Sequence, residues 1–197
     1  MLRAFAPIAA SVLLAGCGLN SVPTSEENAK ARWADVQAAY QRRADLIPNL
    51  VATVRGAAKA ENETLTNVVN ARARANSVQL SGDDLTDPAK MQQFAAAQGA
   101  LSLAIRPLQE AYPELRSQAN FSTLMSQLEG TENRVAIAVR DYNGAVQEYN
   151  TRIRTFPDAI GAKIFHGAKP RVPFEATAPN AGSVRSGTVR RSRPSSR

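Results

Sequence analysis

Cys17 closes the stretch Leu14-Ala15-Gly16-Cys17 and is the chain's one thiol. At the end of a short apolar run, that pattern offers one chemistry. The sulfur takes a diacylglycerol in thioether linkage, the chain is cut before the cysteine, and the new amino group is acylated. A sole cysteine can form no disulfide within the chain and cannot found a zinc cluster. His166, the sole histidine, has no cysteine or second histidine to share a metal with. Glu129 and Glu132 stand three apart, with Asp141 further on, and carboxylates so placed could divide general-acid and general-base roles. Arg134 and Arg140 interleave with them, which favours a solvated or ion-paired face. No serine sits in a GxSxG elbow. The expectation is a protein without catalytic residues, metal or cofactor. Tyr142-Asn143 and Tyr149-Asn150 are one heptad apart and could present two rings to a partner helix or glycan. The simpler expectation puts both tyrosines in a helical seam, with hydroxyls reaching its edge.

One more cluster surrounds Pro48 in QRRADLIPNLV, residues 41–51. Trp33, Val36, Tyr40, Ile47, Leu50, Val54 and Ala57 keep a three-and-four rhythm across that proline. A proline inside a helix removes a donor and collides with the carbonyl four residues earlier, at a cost of about 3 kcal/mol or more. The rhythm predicts a kink within one helix that leaves the Ala44 carbonyl short of its donor. Arg43, Asp45 and Asn49 are the nearby groups able to meet exposed backbone. Arg43, Asp45, Pro48 and Asn49 therefore form a candidate binding notch. The alternative is a bend that serves packing alone.

The elements that must position these residues are helical. Residues 1–16 read as a lipoprotein signal peptide: a positive start, then an apolar run shorter than the about 20 residues a spanning helix needs. Residues 17–25 read as a lipidated linker and 26–165 as a helical bundle. Helix one is expected over 26–58. A second helix begins near Asn62 and fades near Ser77. A third opens on Asp87-Pro88, a good cap followed by proline at the first helical position, and Pro107 is expected to bend or end it. The fourth carries Phe121, Leu124, Leu128, Val135, Val139, Tyr142, Val146, Tyr149, Ile153 and Phe156 at heptad-like spacing up to Pro157. This predicts an all-α fold: an elongated antiparallel bundle of three long helices plus a shorter one, the first kinked at Pro48.

Residues 166–197 read as a disordered basic tail, since proline, glycine, serine and arginine replace any apolar period. From Ala168 on, the chain holds seven Lys or Arg and one Glu, leaving 17 basic and 16 acidic residues elsewhere. The +7 charge thus belongs almost entirely to the tail, and a nucleic-acid partner is not expected.

YQRRADLIPNLVATVRG, NVVNARARA and EAYPELRSQANFSTLMSQLEGTENRVAIAVRDYNGAVQEYNTRIRTFP together resemble the LemA family of bacterial envelope proteins over most of residues 29–165. The resemblance implies a helical bundle tethered by an N-terminal helix or lipid, and it attaches no catalytic set. The expected function is a non-enzymatic scaffold or adaptor for other envelope proteins, held at the membrane by lipid on Cys17. Gly18, in place of aspartate, favours the periplasmic face of the outer membrane by analogy with known sorting rules. The alternative is binding of an anionic envelope lipid or polymer through Arg185, Arg190, Arg191 and Arg193.

Overall fold

The computed structural model describes residues 20–58 and 63–176. The signal peptide, Cys17, Asn62 and the arginines from 185 onward lie outside the described residues. Five α-helices follow in order: α1 (Ser21–Ala58), α2 (Glu63–Ser77), α3 (Pro88–Ala111), α4 (Ala119–Arg152) and α5 (Asp158–Ile164). Short 3-10 turns at Asp84–Thr86 and Pro113–Ser117 lead into α3 and α4. Among the described residues there is no strand, and the fold is an all-α bundle.

α1 is 38 residues long, about 57 Å at the α-helical rise. It pairs antiparallel with α4: Trp33 meets Tyr142 near one end, while Arg43 reaches Glu132 nearer the other. The α2–α3 hairpin packs against this pair, and two clusters fill the interior. One surrounds Trp33, Tyr40, Phe94, Tyr142 and Phe174. The other joins Ile47, Leu50 and Val54 of α1 to Leu65 and Val68 of α2, Leu101 and Leu108 of α3, and Phe121 and Leu128 of α4.

Several boundaries differ from the sequence reading, each for a local reason. α1 starts at Ser21, inside the expected linker. Pro23 is harmless there, because first-turn N–H groups have no intrahelical acceptor. The Thr24 hydroxyl donates to the Asn20 carbonyl and the Ser25 hydroxyl to that of Val22. Val22 is fully buried against Tyr149 and Ala162, which holds the turn down. The α2–α3 connection is polar in composition, yet Leu80 and Leu85 are buried, and the Leu80 carbonyl accepts from Trp33 Nε1 and Gln37 Nε2. Asp87 caps α3 through Ala89 N–H, as expected. The helix then runs past Pro107, whose ring faces solvent. α4 ends at Arg152, so Phe156 leaves the seam and is 83% exposed. The chain turns over 153–157 and forms α5 instead.

The largest correction concerns the expected tail. Residues 166–176 return along the bundle, and Arg171 and Phe174 are buried against it. Gly167, at φ +52, makes the reversal after α5 in a conformation that side chains disfavour.

Candidate functional site

The Tyr-Asn repeat of α4 is the device that receives the returning chain. Asn150 donates from Nδ2 to the Arg171 carbonyl at 2.8 Å and accepts from the Arg171 N–H at 2.9 Å. Asn143 does the same with Phe174, at 2.9 and 2.8 Å. Each carboxamide thus pairs with both backbone groups of one residue, as a neighbouring strand would. The spacing explains the heptad. Seven helical residues advance about 10.5 Å, and three extended residues cover about 10 Å. Between the clamps, the Val172 N–H donates to the Leu85 carbonyl and the Val172 carbonyl accepts from the Tyr142 hydroxyl at 3.0 Å. Pro173 has no N–H, so every backbone donor of residues 171–174 is met. The tyrosines do occupy the seam, at 0% and 1% exposure. Burial pushes the Tyr142 phenol up to about 12, with the Arg171 charge opposing, so the hydroxyl stays a donor.

Side chains complete the strap. Phe174 enters the aromatic cluster edge-on to Trp33, with centroids 5.5 Å apart, and to Phe94 at 5.7 Å. Arg171 lies over the Tyr149 ring, donates to the Gly82 carbonyl, and pairs with Glu26 at 2.7 Å. One guanidinium therefore joins the strap, the α2–α3 connection and α1. Burial alone would raise the Glu26 carboxyl, but hydrogen bonds from Arg171 and Lys30 outweigh it and leave the group below its ordinary value of 4.5. A carboxyl with a depressed folded pKa binds fewer protons folded than unfolded. Its stabilisation is complete above about pH 4.5 and fades as pH falls through the lower folded value. Thermal melts from pH 7 to 3 should show this loss, and Glu26→Gln should be less stable at pH 7 with a flatter acid limb. An identical pH profile in that variant would remove Glu26 from the account.

The Pro48 cluster does not assemble as a notch. Asp45, Pro48 and Asn49 face solvent, and Asp45 accepts from Gln41 Nε2 at 2.7 Å. Arg43 points the other way, at 1% exposure. It pairs with Glu132 Oε1 at 2.9 Å, donates to the Gln98 carbonyl at 2.8 Å and lies over the Tyr40 ring. This pins α1, α3 and α4 together, and the Gln98 amide extends the link to the Ala75 carbonyl of α2. Glu132 is therefore ion-paired, as its surroundings predict, but to Arg43 and not to a neighbour on α4.

The carbonyl stranded by Pro48 finds its donor on another helix. Arg72 Nε of α2 reaches the Ala44 oxygen at 2.9 Å, not any of the three residues beside the proline. Pro48 thereby converts an intrahelical hydrogen bond into a tie between α1 and α2. Arg72→Ala should cost about 1–2 kcal/mol, as expected for a partly buried, charge-assisted bond. The same change in a Pro48→Ala background should cost less than half of that, because the restored N–H competes for the carbonyl. Urea unfolding of the four-member cycle measures the coupling. Strict additivity would show that Arg72 acts elsewhere.

Sequence reasoning missed Arg171, Phe174, Arg72 and Gln98. The signal present was the repeated Tyr-Asn at heptad spacing, two exposed-type amides beside a seam, with one phenylalanine isolated among prolines downstream. His166 is exposed in the turn after α5, and among the described residues no group of acidic, histidine or cysteine side chains is arranged to hold a metal.

Buried polar side chains thus tie the helices and the strap of residues 171–174 into one all-α bundle. The chain belongs to the LemA family, whose match covers residues 32–185 and so includes the strap. Protein LemA of Metamycoplasma hominis is 25% identical over 122 residues, which are 61% of this chain and 52% of that protein. The chain thus spans about half the length of that curated relative.

Proposed function

We propose that this LemA-family chain is a bacterial envelope lipoprotein, anchored through lipid on Cys17, whose bundle serves as a non-enzymatic scaffold or adaptor for other envelope proteins. The observation that carries the scaffold reading is where the buried polar groups are spent. Arg43, Arg171, Gln98, Asn143 and Asn150 all join one element to another, which makes a stiff body. The anchor reading rests on Leu14-Ala15-Gly16-Cys17 after an apolar run. Among the described residues no helix is long and apolar enough to cross a membrane; in this reading the lipid on Cys17 supplies the attachment. Two or three acyl chains hold stably where one holds marginally.

Cys17→Ser tests the anchor. Metabolic labelling with a radioactive fatty acid should disappear, and the protein should leave the membrane fraction or remain unprocessed. Normal labelling in the variant would sink the lipid attachment. Crosslinking in intact envelopes, read by the partners recovered, tests the scaffold, and a chain recovered only with itself would count against it. A second reading, binding of an anionic lipid or polymer, draws on residues 177–197. That stretch holds Arg185, Arg190, Arg191, Arg193 and Arg197 and no acidic residue. The deletion that separates the two begins after residue 176, because one beginning at 168 would also remove the strap.

A further inference from the structure

Solitary exposed apolar side chains are normal, but a contiguous group marks an interaction surface. Four of the seven large exposed hydrophobics among the described residues lie within ten positions: Phe156 at 83%, Ile160 at 52%, Ile164 at 69% and Phe165 at 68%. Phe156, Ile160 and Ile164 follow at intervals of four, so the two isoleucines stand one turn apart on a single face of α5. The opposite face is seated, since Gly161 and Ala162 are buried. Ala162 packs on Val22 and Tyr149, which places α5 beside the first turn of α1. Exposed Lys163 stands on α5 between the two isoleucines, exposed Arg154 and Lys169 flank the segment in sequence and line the groove beside the strap, and the Asp158 carboxylate is faced by Arg152 at 3.8 Å. The segment is therefore apolar with basic residues within it and on either side. In sequence, Cys17 precedes Ser21 by four residues, a reach of at most about 14 Å.

We propose that Phe156, Ile160, Ile164 and Phe165 form a membrane-docking surface that seats this end of the bundle in the interface of an anionic bilayer. A short apolar helix with basic residues beside it suits that environment, because apolar burial and attraction to anionic headgroups add. The patch lies at the end of the molecule where the chain toward Cys17 emerges, so lipid and patch meet the same surface. Together they make two attachments, which fix the tilt of the long α1–α4 pair where a lipid alone would leave a swivel. The orientation rests on the anchor reading, whereas the affinity of the patch for a bilayer does not.

Phe165→Trp in the full chain reports the contact, since the native Trp33 is buried in the aromatic cluster. The protein is prepared in lipidated form and, through Cys17→Ser, without lipid. Each is mixed with vesicles of phosphatidylglycerol and phosphatidylcholine carrying brominated acyl chains. The introduced indole should shift to the blue and be quenched in both forms. For the unlipidated form, adding Ile160→Ser and Ile164→Ser should weaken vesicle partitioning by about tenfold or more, and raised salt should weaken it further. Unchanged Trp33 emission and helicity in the serine variants exclude unfolding. Lipidated protein that binds vesicles with an unquenched indole would overturn the docking surface and leave the anchor intact, with a second copy or a protein partner as the cover for the patch. A chain whose mass shows no lipid on Cys17, yet whose indole is quenched in a patch-dependent way, would overturn the anchor and leave the docking surface standing. Partitioning that ignores the serine substitutions would also overturn it.

Discussion

Glu132→Gln is expected to destabilise the bundle by about 2–4 kcal/mol, and Arg43→Met added to it is expected to return most of that loss. Arg43 is enclosed at 1% exposure, and among the described residues Glu132 is the carboxylate that pairs with it. A guanidinium cannot shed its proton at any accessible pH, so the buried charge would persist without a counter-charge. The Gln98 carbonyl, the Tyr40 ring and the neutral carboxamide oxygen of the new glutamine would remain to solvate it, none of them carrying a counter-charge. Glu132 itself is half exposed and loses little by meeting water. The asymmetry means that removing the acid harms more than its own exposure suggests. Methionine at 43 removes the charge and keeps much of the volume. The Gln98 carbonyl stays within reach of the Ser102 hydroxyl and of its own helix. Urea unfolding at constant pH compares the two single variants and the pair. If Arg43→Met with Glu132→Gln is as unstable as the sum of the singles, the ion pair contributes little of its own and the site is governed by packing.

The helices were legible because their signal is periodic. The α4 seam from Phe121 to Tyr149 has the burial its spacing predicts except at Leu124, which is half-buried while its neighbour Met125 is buried, and Asp87-Pro88 opens α3 as cap and first-turn proline do. The strap was not legible because nothing in it repeats. One phenylalanine, one arginine and a proline give no hydrophobic period, and composition alone argues for disorder. What orders residues 171–174 is that every backbone donor is met, by the Asn150 and Asn143 side chains 21 and 31 positions away and by the Leu85 carbonyl of the α2–α3 connection, relations that no local window contains. The notch failed for a related reason. Proximity in sequence to Pro48 suggested Arg43, Asp45 and Asn49 as partners of the Ala44 carbonyl. Successive helical residues point about 100° apart, so Arg43 faces inward, and the donor comes from Arg72 across the α1–α2 contact. The exposed patch on α5 was hidden because the α4 spacing ran smoothly through Ile153 to Phe156, while the helix itself stops at Arg152.

Phe174→Ala is expected to cost about 3–5 kcal/mol, the range for emptying a buried aromatic site that cannot fully collapse. The ring is 1% exposed and touches Trp33, Tyr40 and Phe94, themselves fixed on α1 and α3. Collapse would require two rigid helices to close on the space. Release of the strap offers an alternative. It would free Arg171 from Glu26, unmake four carboxamide–backbone bonds and open the aromatic cluster to water. Those losses are large enough that the strap should unfold with the bundle, not ahead of it. Trp33 is the chain's sole tryptophan, and its indole donates to Leu80 inside this cluster, so its emission reports the strap directly. In Phe174→Ala it should shift to the red, and Asn143→Ala or Asn150→Ala should each cost about 1–2 kcal/mol through the lost pair of bonds. Ending the chain after residue 176 should leave emission and stability close to those of the full chain. Ending it after residue 170 should reproduce or exceed the Phe174→Ala loss. A chain ended after 170 that melts like the full protein, with Trp33 emission unshifted, would mean that the strap merely rests on the bundle. The heptad-spaced asparagines would then need another ligand to explain their spacing.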